Sequence, residues 1–242
     1  MRLDVLLLPR ELPVRSRPEP TAVVVDVLRA TTSIVTAFQH GCRSVLPVVS
    51  LEEAQRARRR TPDAILAGEQ GGLRIPGFDF GNSPREFTRE AVGGRDVILT
   101  TSNGTKTLRA VGGGRRVAIG AFLNRSAVGD WMAAREADSL VVCAGYGGGL
   151  SLEDAVCAGA IVDRAASVAT RLVLGDGARA CRVLWERFGT DLLRLLPETA
   201  WGRRMLAMGF GPDMEVCARV DVTDVVPTME GGRITLGQRA AG

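Results

Sequence analysis

Apolar positions along the chain fall in short runs, each followed by a stretch with helical spacing, and this alternation predicts β-loop-α units. Met1 to Pro9 reads as a first strand, and Arg10 to Pro20, rich in proline and charge, as an exposed connection. Thr21 to Val27 is nearly continuous in β-branched residues, as a strand buried on both faces requires, and Ala30 to Gln39 continues as a helix ended near Gly41. The unit recurs. Ser44 to Val49 precedes a helix over Leu51 to Arg60, Ala64 to Ala67 reads as a strand, and Asp96 to Thr100 precedes a helix over Thr105 to Val111. Arg116 to Ile119 precedes Ser126 to Glu136, and Ser139 to Ala144 precedes Ser151 to Ala169. Such alternation implies an α/β fold of three layers, α/β/α, with a largely parallel sheet. Beyond about residue 170 the pattern predicts helices over Ala178 to Phe188, Asp191 to Leu196 and Ala200 to Met208, then strands over Val216 to Thr235. No linker divides the chain, so one domain over residues 1 to 242 is expected; its C-terminal helical and β segment is either a cap on the sheet or a sub-lobe.

Composition narrows the picture. With 45% apolar residues in 242, the chain can bury a large core. The net charge of +4 is carried almost wholly by scattered arginines, Lys106 being the single lysine, so no nucleic-acid partner is expected. The Arg56 to Arg60 cluster, following Glu52 and Glu53, reads as a solvated helix face. Five separated cysteines argue against a disulfide framework, and one histidine, His40, against the familiar zinc spacings. His40 itself reads as a helix-terminal residue, and Trp185 and Trp201 as packing anchors. The N-terminal apolar run is too short for a signal peptide, and no run could span a bilayer, so a cytoplasmic protein without a membrane partner is expected. Association into a homo-oligomer is left open.

In a parallel α/β sheet, ligands sit beyond the carboxyl ends of strands, where helices present free N–H groups. Four loops in that position are rich in Gly, Ser, Thr and Asn. The first sets Asp26 at a strand end and Thr31, Thr32 and Ser33 at a helix entrance. A carboxylate there suits a metal ion and hydroxyls suit phosphate; equally, the threonines could cap the helix. The second, Gly68 to Pro84, is long, with Glu69 and Asp79 as acid-base or metal candidates and Asn82-Ser83-Pro84 as a cap that could also face an anion. The third, Thr100-Thr101-Ser102-Asn103-Gly104-Thr105-Lys106, lacks the Walker glycines and reads as a phosphate nest or a plain turn. The fourth, Cys143 to Asp154, brings a glycine run to the carboxylates Glu153 and Asp154 at a helix start.

Absences remove several nucleophiles. Leu28 stands where a haloacid-dehalogenase phosphatase has its second aspartate, and neither Cys143 nor Cys157 has an arginine six places on. Metal-assisted attack by water or by a carboxylate remains, with Asp26 leading for either role.

At these loops the sequence resembles the 2-phosphosulfolactate phosphatase family. The likeness rests on Asp26 to Thr32, Gly68-Glu69, Gly77-Phe78-Asp79, Gly81-Asn82-Ser83-Pro84, Thr100 to Thr105, Phe122-Leu123-Asn124 and Ser151-Leu152-Glu153-Asp154, with a looser match at Gly209 to Asp213 and Val226-Pro227. It implies a Mg²⁺-dependent phosphomonoester hydrolase that converts 2-phospho-3-sulfolactate to 3-sulfolactate and phosphate, a step of coenzyme M biosynthesis. Combined with the residues, it gives Asp26, Glu69 and Asp79 as catalytic candidates and Asp26, Glu69 and Asp154 as metal carboxylates. Thr31, Thr32, Asn82, Ser83, Thr101, Ser102, Asn103, Gly104, Thr105 and Asn124 are candidates for binding phosphate. Arg29, Arg85 and Lys106 would neutralise the sulfonate and carboxylate. Two alternatives stand beside it: a phosphatase for another phosphorylated 2-hydroxy acid, and a non-catalytic phosphate-binding module.

Overall fold

The computed structural model describes residues 1–12, 21–113 and 115–237. Eleven strands join one sheet: β1 (Arg2–Leu6), β2 (Thr21–Val25), β3 (Ser44–Val48), β4 (Ile65–Gln70), β5 (Leu73–Arg74), β6 (Asp96–Thr100), β7 (Val117–Gly120), β8 (Ser139–Cys143), β9 (Val173–Leu174), β10 (Pro227–Glu230) and β11 (Arg233–Leu236). Ten α-helices accompany them: α1 (Ala30–Gln39), α2 (Leu51–Arg60), α3 (Arg89–Val92), α4 (Gly104–Val111), α5 (Arg125–Ala133), α6 (Leu152–Val168), α7 (Asp176–Phe188), α8 (Leu192–Glu198), α9 (Ala200–Ala207) and α10 (Gly211–Cys217). The expected strand-helix alternation is present to within a few residues from β1 to α6. Most of the connection expected over Arg10 to Pro20 lies outside the described residues; its start is a 3-10 turn over Pro9–Glu11.

The strands run in the order β5-β4-β6-β3-β11-β10-β7-β2-β8-β1-β9. Two parallel blocks, β4-β6-β3 and β7-β2-β8-β1-β9, are joined by an antiparallel hairpin made of β10 and β11. Strands were expected over Val216 to Thr235, but α10 runs through Cys217 and pairing begins only at Pro227. The helical period of Gly211 to Cys217 and the Pro212 near its start outweigh the β-branched residues that suggested a strand there. The hairpin therefore belongs to the centre of the sheet.

Helices cover both faces, giving the three-layer α/β/α arrangement. One core packs α5, α6 and α7 on β1, β2 and β8, through Leu3, Val23, Phe122, Met132 and Ile161. A second, holding Val24, Ile34, Phe38, Val97, Leu108 and Ile119, sets α1 and α4 against strands of both blocks. These two helices begin at the ends of β2 and β6, so the same packing that fills the core aims both helix entrances at one place.

Candidate functional site

A cavity of about 290 Å³ opens where the loops after β2, β4, β6 and β8 meet α9. Asp26 follows β2 directly and is nearly buried. Its backbone is fixed by Thr31, whose Oγ1 accepts from the Asp26 N–H at 3.0 Å and donates to the Asp26 carbonyl at 2.9 Å. One carboxylate oxygen accepts from the Ala30 N–H at 3.3 Å. The other faces Gly104, the first residue of α4. A Cβ there would stand 2.6 Å from Asp26 Oδ2 and 2.4 Å from the Ala30 Cβ, so only glycine lets α4 approach this closely.

Asp154, in the first turn of α6, ties two loops together. Its Oδ1 accepts from the Val27 N–H at 2.8 Å and its Oδ2 from the Gly145 N–H at 3.2 Å. Ser151 caps the helix by accepting from the Asp154 N–H. Glu69, near the end of β4, does the same on the far side. It accepts from the Ser102 N–H at 2.6 Å and the Gly72 N–H at 2.7 Å. Glu153 is buried beside the cavity as well.

Packing carboxylates together without water is costly, and the site shows that cost. Burial raises the Asp26 carboxyl to about 7, assisted by the charges of Glu69 and Glu153 and opposed by the Ala30 N–H and by Arg29. Burial also raises Glu153, and it raises Asp154 well above the carboxylate range, with Asp26 and Glu153 adding to the latter. A cation would relieve this repulsion.

The donor set suits a hard divalent ion: carboxylates, with no thiolate or imidazole among the lining residues. A further oxygen, Oδ1 of Asn82, is buried at the cavity and has no hydrogen-bond partner among the described residues. No three Asp, Glu, His or Cys side chains among the described residues converge tightly enough to enclose an ion alone. Mg²⁺ does not need such a cage, because it keeps several waters and takes one or two carboxylates plus substrate oxygens. The residues present fit it on those terms.

Arg29 forms the base of the opposite wall. Its Nη1 donates to Asp213 Oδ2 at 2.6 Å, its Nη2 donates to the Gly72 carbonyl at 2.8 Å, and its guanidinium carbon lies 4.1 Å from the Phe210 ring centroid. Ser83 donates to the other Asp213 oxygen at 2.7 Å. Trp201, Tyr146 and Arg204 complete the mouth.

Of the residues expected from the sequence, Asp26, Arg29, Glu69, Asn82, Thr101, Ser102, Asn103 and Asp154 line this cavity, and Gly104 abuts Asp26. The others are placed elsewhere. Asp79 is 45% exposed, paired with Arg58 at 3.0 Å and accepting from the Leu66 N–H, so it fastens β4 and faces away from the cavity. Thr31 and Thr32 are fully buried with their hydroxyls turned to the carbonyls of Asp26 and Val27. Thr105 closes its own turn with Thr101, and Ser83 caps the 3-10 turn at Pro84–Glu86 while bonding Asp213. Asn124 is buried between β7 and the C-terminal segment, donating to the carbonyls of Ile119 and Val225. Lys106 is exposed outside the lining, and Arg85 lies in a separate cavity with His40.

The residues that α9 and α10 bring to the mouth and to the wall behind it are not placed there by the strand-loop-helix pattern. Trp201 packs against the core as expected, and its ring also lines the cavity, 5.0 Å from that of Tyr146. Arg204, one turn on, and Asp213 belong to α9 and α10, where no strand-loop-helix pattern marks a ligand edge. Trp185 does pack as expected, 6.1 Å from Phe122, and His40 ends α1 with Nδ1 2.5 Å from the Phe87 carbonyl oxygen. All five cysteines are free and buried. Among the described residues, no helix is long and apolar enough to cross a membrane.

Comparison with known proteins places these features in context. The family model described as 2-phosphosulpholactate phosphatase matches residues 6–232. A probable 2-phosphosulfolactate phosphatase of Thermotoga petrophila is 39% identical over 230 residues, covering 95% of this chain and 96% of that protein. Another so named, from Symbiobacterium thermophilum, is 39% identical over 89% of this chain and 93% of its own. A third, from Clostridium acetobutylicum, is 34% identical over 97% and 100%.

Proposed function

The chain belongs to the 2-phosphosulfolactate phosphatase family of phosphoric monoester hydrolases, and from that premise we propose that it hydrolyses 2-phospho-3-sulfolactate to 3-sulfolactate and phosphate with Mg²⁺. The observation that carries the reading is the meeting of Asp26 with the first turn of α4. A carboxylate able to hold a cation and a helix entrance able to hold an anion stand in contact, as an ion-bridged phosphate requires.

In this reading Asp26 and Glu153 hold the ion, with Asn82 Oδ1 as a neutral oxygen beside them, while Glu69 and Asp154 keep the surrounding loops in register. Bound there, the ion would neutralise phosphate charge and lower the pKa of a water able to attack phosphorus. Asn103 and the N–H groups at the start of α4 orient the phosphate oxygens, and Arg29, held by Asp213, adds positive charge to the same end. Asp26, Glu153 and Asp154 are buried at this wall, and a low-dielectric setting strengthens each of these interactions. As phosphorus accepts the water oxygen, its bond to the C2 oxygen breaks and that oxygen leaves as the hydroxyl of 3-sulfolactate. The resemblance supports a role in coenzyme M biosynthesis, and the five unpaired cysteines support a reducing, cytoplasmic location.

The test is phosphate release from 2-phospho-3-sulfolactate, phospholactate, phosphoglycolate and phosphoglycerate, with and without Mg²⁺. We expect Mg²⁺-dependent release, fastest from the first, and a loss of about 10³-fold in kcat for Asp26→Asn. Full Mg²⁺-dependent activity in a folded Asp26→Asn protein would refute the site; release from none of the four would refute the enzyme.

A further inference from the structure

The cavity has two guanidinium groups, and the structure gives them different work. Arg29 is buried and committed: Asp213, the Gly72 carbonyl and the Phe210 ring occupy it, and its charge bears on Asp26. Arg204 is exposed at the mouth and meets no carboxylate among the described residues. Its guanidinium carbon lies 5.9 Å from the centroid of the Trp201 ring. The Trp201 ring also meets that of Tyr146, which is held on a closed turn in which the N–H groups of Tyr146 and Gly149 donate to each other's carbonyls at 3.0 and 2.9 Å. Of the three cations expected to neutralise the sulfonate and carboxylate, Arg85 and Lys106 are absent from the lining, and Arg29, which lines it, is already engaged by Asp213.

We propose that Arg204, backed by Trp201, is the specificity-determining residue, the one that pairs with a second anionic group on the substrate, while Arg29 stays with the phosphate end. This rests on the reading of the cavity as a phosphomonoesterase site. The physical case is one of charge placement. Asp26, Glu69, Glu153 and Asp154 crowd the strand-end wall, so a second anion directed there would meet carboxylates. Directed to the mouth, it meets a cation that no protein carboxylate has neutralised. A guanidinium is weakly hydrated and presents a planar fork to paired oxygens, and the Trp201 face favours its charge while limiting its motion.

Three phosphate esters separate the possibilities: 2-phospho-3-sulfolactate, 2-phospholactate, which lacks the sulfonate, and phosphoisethionate, which lacks the carboxylate. The wild-type protein should prefer the first in kcat/KM. Arg204→Met should lower kcat/KM for the first roughly 10–100-fold, mainly through KM, and erase its advantage over whichever ester lacks the group that Arg204 reads. Arg204→Lys should restore part of the loss, and thermal melting should show both variants folded. Equal losses on all three esters, or no loss on any, would overturn the proposal. Should the wild type hydrolyse none of them, the phosphatase reading falls and the role of Arg204 is decided by calorimetric binding of 3-sulfolactate. Weaker binding by Arg204→Met supports it, and unchanged binding ends it.

Discussion

The two walls of the cavity are built on different principles. The strand-end wall sets Asp26 just after β2, Glu69 near the end of β4 and Asp154 in the first turn of α6, and backbone N–H groups pin each carboxylate. The helical wall hangs α9 and α10 over the site through the buried Arg29–Asp213 pair, the Ser83–Asp213 bond and the packing of Gly72 under Met208 and Trp201. The first wall is rigid and negative, and stays so at a cost in stability. The second is cationic and aromatic, and it is held by a single buried charge pair. A site that must place one reacting group with precision and still discriminate among tails can divide those tasks in this way.

The comparison breaks most visibly at Asp213. Removing one partner of a buried pair strands the other, so Asp213→Ala should cost about 3–5 kcal/mol in urea unfolding and lower kcat/KM as Arg29 and α10 loosen. Next comes Asp26 in metal-free protein. Its folded pKa is raised from 3.8 to about 7, so its contribution to stability is complete below about pH 4 and is lost as pH rises through about 7. Asp26→Asn cannot ionise. With EDTA present it should therefore unfold like wild type near pH 4 and be more stable by roughly 2–4 kcal/mol at pH 8, a gap that Mg²⁺ should narrow by stabilising the wild type. Gly104→Ala should cost about 1–3 kcal/mol and lower kcat by about 10²-fold, because the new Cβ forces α4 away from Asp26. The smallest effect belongs to Asp79, outside both walls. Asp79→Ala should cost less than about 1 kcal/mol and leave phosphate release unchanged, since its partner Arg58 is part-exposed like itself.

The same division explains what the sequence discloses. The strand-end wall is legible because its signal is local: a β-branched strand, then a carboxylate or hydroxyl, then a helix, as at Val25-Asp26 and Thr100 to Gly104. Local pattern cannot say which way a hydroxyl turns, which is why Thr31, Thr32 and Thr105 look like ligand groups but serve backbone carbonyls. Nor can it tell the carboxylate of Glu69 from that of Asp79, ten residues along the same loop, because β4 ends and turns between them. The helical wall is illegible for a different reason. Asp213 reaches the site through contacts to Arg29 and Ser83 that are remote in sequence, and Arg204 arrives there beside Trp201 on a helix that follows no strand. The central hairpin was hidden likewise, since a strand's period shows that it pairs but not with what.

That hairpin has a consequence in time. β10 and β11 join the two parallel blocks, with Thr228 on Ala118 and Ile234 on Val45. A ribosome reaches Pro227 only after both blocks have emerged, so until then β3 and β7 carry open edges with their hydrogen-bonding groups unpaired. Strands synthesised after both blocks are thus the ones that close the sheet, and two unpaired edges persist on the nascent chain until they arrive.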